Sequence, residues 1–148
     1  MAVNENEGNT DLSGPFAPIH FQTNTREFLF DTGSEVNLLS AENYKELTED
    51  WDLKKLKKYS KNLCSVNGQE LKVFGRVNIE IEFLKQNHGM EFVILDEQEV
   101  AIIGMNGMEQ MKVVIDTENK VIRTNDNQIE FDKGKIRISA IKETKPNF

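Results

Sequence analysis

Phe28-Leu29-Phe30-Asp31-Thr32-Gly33-Ser34 is the stretch on which the reading of this 148-residue chain turns. Three large apolar residues run directly into an aspartate, where a charge is costly unless it is hydrogen-bonded or paired. Thr32 adds a hydroxyl, and Gly33 lets the backbone turn sharply and lets a ligand come close. The chain is then apolar again at Val36-Asn37-Leu38-Leu39. A carboxylate displayed on a tight turn between two buried segments is held rigidly enough to work as an acid or a base. Taken alone, the triplet is equally an ordinary turn; its flanks and the residues downstream carry the case.

Outward from this turn the chain reads as mainly β. Phe16 to Gln22 and Glu27 to Phe30 form strands around a turn at Thr23-Asn24-Thr25. Ser40 caps a short helix over Ala41 to Leu47, with Glu42 in its first turn. The spacing of Leu53, Leu56 and Tyr59 predicts a further turn or two of helix. Asn67-Gly68 joins Leu63–Val66 to Leu71–Phe74 as a hairpin. Val77, Ile79, Ile81 and Phe83 alternate with polar residues, and a turn over Lys85 to Gly89 leads into Met90–Leu95. Val100 to Ile103 ends at Gly104, and Asn106 to Met111 suits a short helix that Gly107 weakens by up to about 1 kcal/mol. Two further hairpins follow: Val113–Ile115 with Val121–Ile122, and Gln128–Phe131 with Lys135–Ile141 through Asp132-Lys133-Gly134. So many short strands predict a closed or rolled sheet with one or two short helices.

Composition narrows the chemistry. The net charge of -7 argues against nucleic acid as the main partner. Lys54, Lys55, Lys57 and Lys58 are interrupted by Leu56 and flanked by Asp50 and Asp52, and read as a solvated face. With only His20 and His88, no histidine-rich metal site can form, and no metal or other cofactor is expected. Zinc-protease, serine-hydrolase and phosphate-loop patterns are missing. Cys64 is the single cysteine, which rules out an intrachain disulfide, fits a reducing compartment, and reads as a small buried hydrophobe. No apolar run is long enough for a membrane span.

Phe28–Ser40 (FLFDTGSEVNLLS) resembles the active-site segment of retroviral and retrotransposon aspartic proteases. Val100–Asn106 (VAIIGMN) resembles that family's second signature, and Asn67-Gly68 falls where the family carries the tip of its flap hairpin. Val113–Arg123 (VVIDTENKVIR) resembles the hairpin after the helix in the gypsy-like retrotransposon branch. The resemblance runs from about Phe16 to Arg123 with its signatures in order. It implies an acid-protease half fold, functional as a two-fold homodimer, and an aspartic endopeptidase that processes a retroelement polyprotein. Asp31 would be the general acid/base. Thr32 would lock the two active-site turns across the axis, and Gly33 would offer its backbone to substrate with Ser34 and Glu35 beside it. Val66, Asn67 and Gly68 would close over a bound peptide, and Ile102 and Ile103 would wall the cleft.

The chemistry agrees with that resemblance. Two carboxylates sharing one proton can activate a water and protonate a peptide carbonyl, and close like charges force one to ionise while the other stays neutral. This chain offers one such aspartate. Asp116-Thr117 repeats two letters, but Glu118 replaces the glycine and the position falls in a hairpin turn. The second carboxylate must therefore be another copy of Asp31, as a self-complementary dimer supplies. Ser34 stands where many retroviral enzymes have alanine. A hydroxyl donating to the carboxylate favours the ionised form, so an acidic pH optimum is expected. Met105 replaces a common arginine and suits a dimer braced by apolar contacts. A single glycine at the hairpin tip implies a stiffer flap.

The organisation that follows is a flexible acidic leader over 1–14, a protease-like domain over 15–142 and a tail over 143–148. The location expected is cytoplasmic, within retroelement particles if the polyprotein reading holds. Partners are a second copy and an extended peptide, with no nucleic acid and no membrane. The alternative keeps the fold without the catalysis: a domesticated dimerisation or protein-binding module. An unrelated small β-barrel would require the ordered signatures to be coincidence.

Overall fold

The computed structural model describes residues 14–131. Six strands close into a barrel in the order β1 (Phe16–His20), β2 (Thr25–Phe30), β6 (Ala101–Ile103), β3 (Asn37–Ser40), β5 (Gln86–Leu95) and β4 (Val73–Phe83). Inward positions follow the two-residue period: Ala17 and Ile19 on β1, Phe28 and Phe30 on β2, Ile81 and Phe83 on β4 are all buried. Strand β6 is central to the site, because it pairs parallel with β2 and antiparallel with β3. It thereby ties together the two strands that flank Asp31.

Helix α1 (Ala41–Thr48) begins where Ser40 accepts a hydrogen bond from the Asn43 N–H and stops at a left-handed Glu49. It packs Tyr44 and Leu47 against the barrel. Helix α2 (Met105–Met111) follows Gly104 and buries Met108 and Met111. Beyond it, β7 (Val114–Asp116), β8 (Val121–Arg123) and β9 (Gln128–Glu130) form a separate antiparallel sheet.

The barrel core is aromatic. Phe28 packs on Phe21 and Phe92 at ring-centroid distances of 5.9 and 6.0 Å, and Phe30 on Phe83 at 5.2 Å. A smaller apolar cluster, Val93, Leu95, Val100 and Ile102, lies on the other side of the sheet. Half-buried Leu29, Leu38, Tyr59, Leu63 and Leu71 pack around it. An apolar cluster whose outer members remain half open is the raw material of a binding cleft.

Four expectations need correction. Leu53, Leu56 and Tyr59 make no extended helix: Leu53–Lys55 is one 3-10 turn capped by Asp52, and Leu56 is already extended. Their spacing arises because Leu53 and Leu56 meet the barrel core while Tyr59 meets the second cluster. The turn placed over Lys85–Gly89 is only Leu84-Lys85, both at positive φ, closed by Phe83 opposite Gln86. That is the geometry of a two-residue hairpin loop, built here without its usual Asn or Gly. Cys64 is exposed rather than buried. Gly107 does more than weaken a helix: a Cβ there would meet Asn37 Oδ1 at 2.5 Å and Met90 Cε at 2.8 Å, so α2 sits where it does only because residue 107 has no side chain.

The hairpin over 63–71 is narrow, with Leu71 N–H donating to the Leu63 carbonyl and Ser65 N–H to that of Gln69. Strand β4 proper starts at Val73, after this hairpin. The four lysines between 54 and 58 are exposed, and Lys55 pairs with Asp50. The expected leader apart from Gly14, the strand Lys135–Ile141 with its turn, and the tail lie outside the described residues.

Candidate active site

Asp31 leaves the end of β2 with its N–H donating to the Ile103 carbonyl at 3.0 Å. The chain then turns at once, closed by Ser34 N–H to the Asp31 carbonyl at 3.1 Å. Within this turn the Gly33 N–H donates to Asp31 Oδ1 at 2.8 Å. The carboxylate is therefore held by its own loop, half-buried, with one oxygen engaged and the other directed away from that bond.

The loop is clamped from below. Met105 N–H donates to the Ser34 carbonyl at 2.7 Å and Asn106 N–H to that of Glu35 at 2.9 Å, so the first N–H groups of α2 are satisfied by the Asp31 loop. Gly104 lies where the two segments cross, and a Cβ there would strike the Val36 and Ser34 carbonyls. Asn37, buried at the start of β3, accepts from the Gly104 N–H at 2.9 Å and donates to the Glu91 carbonyl at 3.0 Å. One side chain thus joins the Asp31 loop, the end of β6 and β5.

Above this floor opens a cleft of about 630 Å³. Asp31, Gly33, Ser34 and Glu35 form its floor, Leu29, Leu38, Val100 and Ile102 one wall, and Tyr59, Leu63, Val66 and Gln69 the side towards the hairpin. Burial pushes the Tyr59 hydroxyl pKa up, and the charges of Glu91 and Glu35 add to the rise. Tyr59 is neutral at ordinary pH and presents the cleft with a hydroxyl that can donate.

The expected site residues are distributed as follows. Asp31, Gly33, Ser34, Glu35, Val66 and Ile102 meet in the cleft. Thr32 is exposed on the outside of the turn, and Asn67 and Gly68 stand exposed at the hairpin tip, outside the cleft lining. Ile103 does not wall the cleft: it is fully buried in the barrel core and contributes its carbonyl to Asp31. Ser34 differs most from expectation. Its hydroxyl donates to the Val36 carbonyl at 2.7 Å, not to Asp31, so the reason given for an acidic optimum is lost. Asp116 caps a turn, accepting from Glu118 N–H, Asn119 N–H and Arg123. The Asn119 side chain, then its backbone N–H, then Arg123 pull its pKa down to about 2.

Tyr59 and Asn37 were not anticipated. Tyr59 was absorbed into a helical spacing. Asn37 did leave a signal: it is the one polar residue inside the apolar run after the Asp31 turn, where a buried amide must have partners. Among the described residues no three His, Cys, Asp or Glu side chains cluster as a metal site requires, and no helix is long and apolar enough to cross a membrane.

No protein-family model matches the chain. Solved structures do. The retroviral protease-like domain of Ddi1 from Leishmania major superposes with a TM-score of 0.65 at 12% identity, covering 81% of this chain and 94% of that one. EIAV protease complexed with the inhibitor HBY-793 gives 0.52 at 16% identity, covering 74% and 95%. A retropepsin-like aspartic protease from Rickettsia conorii gives 0.51 at 19% identity, covering 68% and 75%. These likenesses establish that the chain has the retropepsin-like fold.

Proposed function

We propose that this chain is an aspartic endopeptidase that acts as a two-fold homodimer, with Asp31 of each copy facing its mate. The observation that carries this reading is the placement of Asp31. Among the described residues it is the one aspartate held on a glycine turn at the floor of a cleft, with the hairpin 63–71 beside it. Two details support a second copy. Val66 is 90% exposed, an apolar side chain left in water by a single chain. The Asp31 turn presents Thr32 and Gly33 outward, where a symmetry mate could meet them.

In such a dimer one carboxylate is ionised and the other protonated. The ionised one takes a proton from a water as its oxygen adds to the scissile carbonyl carbon. The protonated one gives its proton to the carbonyl oxygen. Collapse of the tetrahedral diol, with a proton passed to the amide nitrogen, breaks the C–N bond. Gly33 and Glu35 would meet the substrate backbone. Val66, Asn67 and Gly68 would close as a flap and exclude water. The half-buried leucines and Ile102 favour an extended substrate with large apolar side chains.

A retroelement polyprotein is the substrate that this reading assigns, and the hairpin Val113–Arg123 is what links the chain to the gypsy-like branch. A single cysteine suits an intracellular setting. Incubation of purified protein with an unfolded protein between about pH 4 and 7 tests the reading. Cleavage that Asp31→Asn abolishes, with the dimer intact, supports it. A wild-type protein that stays monomeric and cuts nothing leaves the binding module as the account.

A further inference from the structure

The edge of β4 away from β5 borders a cavity that shares no lining residue with the Asp31 cleft. Along one edge β4 is paired with β5 from Val73 to Phe83, unbroken from Gly75 on after a bulge at Phe74. Along the other, among the described residues, it pairs only with Lys57, opposite Arg76, and His20, opposite Glu82. Val77 to Ile81 have no strand beside them among the described residues. A cavity of about 590 Å³ opens there, between this edge, the β1–β2 turn and the C-terminal end of α1.

The direction of the free groups follows from the ladder. Arg76 exchanges both main-chain bonds with Lys57, at 2.8 and 3.0 Å, so its N–H and C=O point away from β5. In an antiparallel pair this direction alternates. Asn78 and Glu80 therefore aim their N–H and C=O into the cavity, whereas Val77, Ile79 and Ile81 bond to β5. The two-residue turn closed by Phe83 and Gln86 requires the same parity. Two donors and two acceptors in line form a template for one more strand.

Side chains around the edge specify what that strand carries. Asn78, Glu80 and Glu82 stand exposed on the outer face, whereas Glu91, opposite Asn78 on β5, is already paired with Arg76 at 2.9 Å. Val77 and Ile79 face inward towards Tyr44 and Leu47. Among the described residues the only lysine lining the cavity, Lys55, is already paired with Asp50. We infer that this edge binds an extended peptide segment that alternates basic and apolar residues, by strand addition between Lys57 and His20. Its basic side chains lie along the glutamates and its apolar ones over Val77 and Ile79. This site is independent of the catalytic reading, because Asp31 contributes nothing to it.

The test uses the full chain carrying Asp31→Asn, so that no probe is cut, and a capped peptide of about seven alternating lysines and valines. In the free protein the amides of Asn78 and Glu80 should exchange with solvent much faster than that of Ile79. Adding the peptide should slow them and shift their NMR signals. The glutamate–valine counterpart should leave them unchanged. Glu80→Pro removes an outward N–H without touching the β5 ladder, and should weaken binding about tenfold. Glu80→Gln with Glu82→Gln, which cannot disturb the backbone, should weaken binding and flatten its salt dependence. The proposal is overturned if Asn78 and Glu80 are already protected in the free chain, if no peptide binds, or if the shifts fall only around Gly33 and Gly68.

Discussion

Asn37 Oδ1 accepts a hydrogen bond from the Gly104 N–H at 2.9 Å, at a position only 3% exposed. Its Nδ2 donates to the Glu91 carbonyl at 3.0 Å, so a single amide holds the Asp31 loop against β6 and β5. Asn37→Ala leaves a buried N–H and a carbonyl unsatisfied. The expected loss is about 2–4 kcal/mol, read from urea or thermal unfolding. Cleavage should fall further than the folded fraction does, because the loop is freed as well.

Gly107→Ala sets two rules against each other. Helix propensity alone predicts a gain of up to about 1 kcal/mol. The structure predicts a loss, because the added methyl meets Asn37 Oδ1 and Met90 Cε. Overpacking of this kind costs about 1–3 kcal/mol, and a lowered denaturation midpoint is the outcome expected.

Ser34→Ala should leave the pH profile of cleavage unchanged. The hydroxyl serves the Val36 carbonyl, so its removal costs about 1 kcal/mol of loop stability and no charge stabilisation at Asp31. A pH–rate curve displaced in the variant contradicts this geometry.

Asp116 tests whether the second Asp-Thr pair matters to catalysis. Its folded pKa, about 2 against an ordinary 3.8, is depressed, so its contribution to stability is present above about pH 4 and disappears as pH falls towards 2. Asp116→Asn should flatten acid unfolding in that window and leave cleavage intact. A variant that folds but no longer cuts would give Asp116 a role the structure does not provide.

The legible parts of this chain were those set by near neighbours in sequence. Alternation on Val77–Phe83 placed β4, Ser40 announced the start of α1, and the apolar run into Asp31-Thr32-Gly33 pointed to a turn that lines a cleft. What stayed hidden depends on contacts between distant segments. Gly104 reads as the end of a strand and Gly107 as a helix-weakening residue until the Val36 carbonyl and the Asn37 amide are brought against them. Ser34 has two acceptors within reach, and only the folded loop selects Val36. Leu84-Lys85 carries no turn residue, yet the pairing of β4 with β5 imposes positive φ on both. Tyr59 shared a spacing with Leu53 and Leu56 but packs in a different cluster.

The central claim is that Asp31 works only beside a second Asp31, and mixing measures this directly. Wild-type and Asp31→Asn chains are allowed to exchange at constant total concentration, and cleavage of an unfolded protein is followed as the variant fraction rises. If a site needs both aspartates, activity falls as the square of the wild-type fraction, to about a quarter in an equal mixture. A linear fall, to about half, would mean that each chain acts alone and would contradict the account.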